Sequence, residues 1–242
     1  MAELREMPSI DIDPVELKMW GERWLSEYNA ETNNTKERNS FDRQQSVNFA
    51  SFIDLSFGKA MSKMLGGIEV VIPTGNSLLP VKPDIVEVGT VRIVGGVRPQ
   101  NFDAAYRPDG PRIVFDSKTL NEEKSIGKNW QNMINDLGTE ATTVHTRFPY
   151  ALVIFFVVLP EPALNSKQEK DIIRTLERLG TRRSVLDQPH LAEAISMLVW
   201  NPSDGTINSD IPCTQSDLRI EKIPRIIEEI YLDRYQGLPP HD

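Results

Sequence analysis

The chain has 242 residues, 39% of them hydrophobic, with a mean hydropathy of -0.36 and a net charge of -8. That length can bury a sizeable core, and the composition excludes an intrinsically disordered chain and a polytopic helical membrane protein. The acidic balance excludes a uniformly basic nucleic-acid-binding surface, so any phosphate contact requires local positive charge.

The stretch before the first helix, residues 1–12, lacks an apolar central run, so no signal peptide is expected. Asp13 is placed to cap a helix over residues 15–28, with Pro14 at its first position. Residues 30–40 are polar and read as a loop. A long helix follows over 41–65, its core stripe marked by Ala50, Ile53, Phe57, Ala60 and Met64 and its end by Gly66 and Gly67. The β-branched run 68–72 and the alternating run 85–94 predict strands. Two further strands, 102–107 and 112–119, flank the turn Pro108-Asp109-Gly110-Pro111. A helix over 124–137 is expected to stop at Gly138.

Residues 150–159 form a nearly unbroken apolar run, too short for a membrane helix of about 20 residues and suited to a strand buried on both faces. An amphipathic helix over 167–179, a strand over 197–201, a loop over 202–210 and a terminal helix over 223–235 complete the chain. No linker divides it. A single domain is expected, with a helical N-terminal part (1–66), a core (67–201) and a C-terminal loop and helix (202–242).

The lone cysteine, Cys213, can form neither an internal disulfide nor a zinc–thiolate cluster. His145, His190 and His241 show no ligand spacing and read as ordinary surface or loop residues. The absence of soft ligands points to a reducing, cytoplasmic setting and to a hard cation held by oxygens.

The chemistry-bearing feature lies in the hairpin. A loop closed by Arg107 and Arg112 sets a register that places Asp103 opposite Asp116, with β-carbons about 4.5–5.5 Å apart. Lys118, two residues beyond Asp116, points to the same face. Like charges opposed on a sheet are destabilising unless compensated, and a divalent cation compensates them. A lysine beside such a cation can hold or deprotonate a water and screen phosphate charge. Two carboxylates and a lysine are thus a compact set of parts for metal-assisted phosphodiester hydrolysis. The plainer alternative is a surface hairpin with three charges on its wet side. The apolar neighbours Ile113, Val114 and Phe115 speak against it, because idle charges on a buried strand are costly.

Asp103, the short turn and Asp116-Ser117-Lys118 resemble the PD-(D/E)xK nuclease superfamily, over residues 68–201, with Phe102 standing where the family name has proline. The resemblance implies an α/β fold with a central mixed β-sheet flanked by helices, as in restriction endonucleases. It implies Mg²⁺ (Mn²⁺ is an alternative) held by Asp103 and Asp116 with help from the Ser117 carbonyl, and Lys118 positioning the water. Asp54 on the long helix is then either a further metal ligand or a solvated helix residue, with Glu69 and Glu87 as weaker alternatives. Gln131, with Lys128 and Asn132 on the same helix face, is either a contact to the nucleic acid or an ordinary polar face. Arg182 and Arg183 are either a contact to the DNA backbone or, the reading favoured, a solvated basic pair. The activity implied is an endodeoxyribonuclease acting on double-stranded DNA as a homodimer, most like a type II restriction endonuclease. A repair, recombination or mobile-element nuclease is the alternative, and a non-catalytic binding module on the same scaffold is a third.

Overall fold

The computed structural model describes residues 3–74, 77–161 and 164–241. A seven-stranded mixed sheet carries helices on both faces, the α/β architecture expected. In chain order the elements are α1 (Pro14–Leu25), β1 (Tyr28–Asn29), β2 (Asn34–Thr35), α2 (Arg43–Met64), β3 (Glu69–Val71), β4 (Ile85–Val94), β5 (Pro99–Tyr106), β6 (Ile113–Thr119), α3 (Glu123–His145), β7 (Leu152–Pro160), α4 (Ser166–Leu179), β8 (Ala194–Asn201), β9 (Thr206–Ile207) and α5 (Ile223–Tyr235). The large sheet runs β3-β4-β5-β6-β7-β8-β9, while β1 and β2 pair separately. Strand β5 is antiparallel to both its neighbours, β4 and β6; β6, β7 and β8 are parallel.

Local chemistry explains the boundaries. Asp13 accepts the Val15 N–H at 2.8 Å and Pro14 opens α1. Asp42 and Gln45 form a capping box that starts α2. The all-buried strand β7 distributes its side chains evenly: Leu152, Ile154, Phe156 and Val158 enter one core, and Val153, Phe155, Val157 and Leu159 the other. Helices α1, α2 and α5 cover the first face, and α3 and α4 the second. On the first face Phe57 of α2 stacks on Phe115 of β6, ring centroids 4.1 Å apart, and Phe156 meets Phe115 edge-on at 5.0 Å. Contacts of this kind add about 0.5–1.5 kcal/mol each, and they fix the rotation of α2 over β6.

Several expectations are corrected. The loop over 30–40 contains β2, and that over 202–210 contains β9. Helix α3 does not stop at Gly138 but runs on to His145. A glycine inside a helix costs about 1 kcal/mol relative to alanine. Continuing the helix buries Ala141, Val144 and His145, and a buried valine alone contributes about 1.5–3 kcal/mol.

The histidines and the basic pair are also not all on the surface. His145 and His241 are buried, and His190 is exposed. Buried Glu193 accepts from Arg182 Nη1 at 2.6 Å, Arg234 Nη1 at 2.9 Å and the Val153 N–H at 2.8 Å, with His145 Nε2 at 3.2 Å. These contacts gather α3, β7, the approach to β8 and α5 on one carboxylate. Burial alone would raise the pKa of Glu193, but the hydrogen bond and charge of His145, with Arg234, hold it below the usual carboxylate range.

Candidate active site

The β5–β6 hairpin has the expected register: Tyr106 pairs with Ile113, Ala105 with Val114 and Ala104 with Phe115. One more step would set Asp103 against Asp116. The backbone ladder ends before that step, because the Ser117 N–H donates to the Asp103 carboxylate, at 2.9 Å from Oδ2. The N–H and C=O of one strand residue point to the same neighbour, so the Ser117 carbonyl is also turned towards β5.

The interruption originates in the adjacent strand. Between the pairs Val88–Ala104 and Val91–Phe102 the register slips, so that Gly89 and Thr90 oppose Asp103 alone. This is a β-bulge, which re-aims the side chain beside it. Gly89 has φ of 125°, a conformation that side chains disfavour, and an added Cβ would sit 3.3 Å from Pro73 Cδ. The bulge also resets face alternation. Phe102 and Ala105 belong to the α3-side core, and Ala104 to the α2-side core. Asp103 therefore stands at the switch between the two faces.

From that position its charge acts on a carboxylate from each side. Asp54 projects from α2, one turn before Phe57 and fixed by the same packing; it is buried. Burial pushes its carboxyl well above the usual carboxylate range, the Asp103 charge pushes further, and the Ser117 hydroxyl draws it partly back. Asp116, also buried, is raised in the same way: first by burial, then by the charge of Asp103 and a hydrogen bond with it, with Lys118 opposing. Lys118 forms an ion pair with Asp116 and a second with Glu140 of α3, at 2.9 Å from Oε1. Burial would lower the Lys118 ammonium, but these two carboxylates outweigh it and hold the group above the ordinary lysine value. Gln100 of β5 donates to the same Glu140 Oε1 at 3.0 Å.

The arrangement therefore gathers more buried carboxyl groups than cations, with Lys118 paired to Asp116 and Glu140. Asp54 Oδ1 and Glu140 Oε2 are buried and have no hydrogen-bond partner among the described residues. No three His, Cys, Asp or Glu side chains among the described residues already surround a single ion position. One or two carboxylates with a substrate phosphate are nevertheless sufficient for Mg²⁺. Asp54 and Asp116, each raised by burial and by Asp103, the unpartnered Asp54 oxygen and the all-oxygen donor set fit a hard divalent cation.

Asp103, Asp116, Ser117, Lys118 and Asp54 are thus brought together. Glu87 is locked in a buried pair with Arg107, at 2.9 Å from Nη2, and Glu69 pairs with Lys82 on the surface; neither joins the cluster. Lys128, Gln131 and Asn132 are exposed on α3, eight to twelve residues before Glu140. At about 1.5 Å per residue this is about 12–18 Å of helix axis. Glu140 and Gln100 were missed by sequence reasoning. The signal for Glu140 was the apolar stripe itself, which continues from Leu137 to Ala141 and Val144 past Gly138. No family model matches the chain, and no curated protein or solved structure shows significant similarity to it.

Proposed function

We propose that this chain is a metal-dependent endonuclease that hydrolyses phosphodiester bonds of double-stranded DNA. The observation that carries the reading is that Asp54 and Asp116 both interact with Asp103, which accepts the Ser117 N–H, with Lys118 as the cation paired to Asp116. Asp103 and Asp116 would hold Mg²⁺ or Mn²⁺, with the Ser117 carbonyl and Asp54 as further oxygen donors. A divalent cation so bound would supply Lewis acidity and lower the pKa of a bound water. The reaction consumes one water: its oxygen adds to phosphorus, the bond to the leaving sugar oxygen breaks, and a phosphomonoester and a hydroxyl result.

The chain's own residues supply orientation and charge. Lys118 is held in its ammonium form, so it acts as a hydrogen-bond donor that orients the water and screens developing charge on the phosphoryl oxygens. Asp103 serves both faces of the site from the bulge. Lys128, Gln131 and Asn132 lie along an exposed helix face that suits contact with a strand running away from the cluster. A two-fold homodimer would cut both strands of a palindrome, as a type II restriction enzyme does. No helix among the described residues is long and apolar enough to cross a membrane, and a cytoplasmic enzyme is the form proposed.

Supercoiled plasmid incubated with the protein and Mg²⁺ tests the reading. Nicked and linear products are expected, with none in EDTA and none from Asp116→Asn. The proposal fails if supercoiled, linear and single-stranded DNA all survive Mg²⁺ and Mn²⁺ in the presence of folded protein.

A further inference from the structure

Lys118 has two carboxylate partners on different elements, and they are not equivalent. Asp116 belongs to the candidate cation site. Glu140 belongs to α3 and accepts from Lys118 and Gln100 through Oε1. Its second oxygen, Oε2, is buried and has no hydrogen-bond partner among the described residues. An ammonium carries three donors, so Glu140 has unused capacity to accept another hydrogen bond from Lys118.

We propose that Glu140 is a positioning residue that keeps the Lys118 ammonium in the site when Asp116 turns its carboxylate to a divalent cation. The inference rests on the metal-dependent reading above. A dication and an ammonium sharing Asp116 repel each other at short range. Without Glu140 the lysine has Asp116 as its one charged partner and competes with the ion for it. With Glu140 the ammonium shifts onto an acceptor held by Gln100 and stays beside the reacting centre. The role separates two needs that one carboxylate cannot meet: holding the ion and holding the lysine.

The test is Mn²⁺ binding to the full chain, measured by calorimetry and by the fall in the free-ion paramagnetic resonance signal, with Mn²⁺ alone as the probe. Glu140→Gln should weaken Mn²⁺ binding about tenfold, the scale of one charge-assisted hydrogen bond lost. In a Lys118→Met background the same substitution should change affinity by less than about twofold, because no lysine remains to compete. Gln100→Ala, which loosens Glu140 and leaves its charge in place, should act in the same direction by about threefold, and only when Lys118 is present. It supplies the measurement if Glu140→Gln does not fold. Equal weakening with and without Lys118 overturns the inference, since Glu140 would then be a ligand or a field charge. No weakening in either background also overturns it. Failure of the wild-type chain to bind Mn²⁺ at all overturns the metal-dependent reading and this role with it.

Discussion

Asp103→Asn and Asp103→Ala separate two things that the Asp103 carboxylate does. It accepts the buried Ser117 N–H at 2.9 Å, and its charge raises both Asp54 and Asp116. Alanine removes the acceptor and the charge together. Leaving a buried donor unpaired costs about 1–3 kcal/mol, set against the repulsion relieved. Asparagine keeps an acceptor oxygen and removes only the charge, so repulsion is relieved without that cost. In EDTA, Asp103→Asn should therefore unfold at or above the wild-type temperature. Asp103→Ala should fall below Asp103→Asn by about 1–3 kcal/mol, or about 2–4 °C for each kcal/mol in a chain of this length. With Mg²⁺ at a hundred times its dissociation constant, wild type should move above both variants. Wild type should gain about 2.7 kcal/mol from ligand binding, and both variants should gain little. Thermal unfolding followed by circular dichroism, with and without Mg²⁺, reads all of these values. An Asp103→Asn protein that melts as low as Asp103→Ala in EDTA would refute the reasoning, because the Asp103 charge would then not be repelling Asp54 and Asp116.

Lys118→Met should leave the fold and Mn²⁺ affinity nearly intact and slow plasmid cleavage by about 10²–10⁴, the usual loss for an acid–base or donor group; cleavage at the wild-type rate removes Lys118 from the mechanism. Asp54 is raised in the folded state, so the stability tied to its protonated form is full below the ordinary carboxylate value and is lost as pH rises through the raised one. Asp54→Asn has no such loss, so in EDTA its melting temperature should gain on wild type as pH rises from about 4; a gap that does not change with pH contradicts the shift. Glu193→Gln leaves Arg182 and Arg234 buried beside a neutral group and should cost about 3–5 kcal/mol in urea unfolding, with a loss under 1 kcal/mol counting against the cluster as a structural centre.

The hairpin was legible because its information is local. The Pro108–Pro111 turn fixes the register, and the register alone predicts that Asp103 faces Asp116. Strand β7 and helix α2 were legible from continuous and three-to-four spaced apolar residues. The bulge at Gly89 was not, since a slipped register depends on which strand lies alongside. Nor was Glu140, because Gly138 reads as a helix end, whereas the far turns of α3 are sustained by tertiary burial. His145 and Arg182 read as surface residues because their common partner, Glu193, is distant in sequence from one of them and unremarkable beside the other. The sequence around Asp54 allows two readings for the same reason: its neighbours in the chain say nothing of Asp103.

The parallel strands carry a kinetic consequence. Ile113 pairs with Leu152 and Ile154 with Ala194, so β7 meets each of its partners across a helical crossover and neither pairing can start from a tight turn. Hairpins form in about 1–10 μs, whereas sheets built from distant segments close over milliseconds to seconds. On refolding, Asp103, Asp116 and Lys118 are therefore joined early on the β5–β6 hairpin, with their charges still in water. The costly step, removing the acids from solvent, waits until α2 and α3 dock and bring Asp54 and Glu140. Mg²⁺ supplied during refolding should accordingly hasten the slow phase and leave the fast one unchanged.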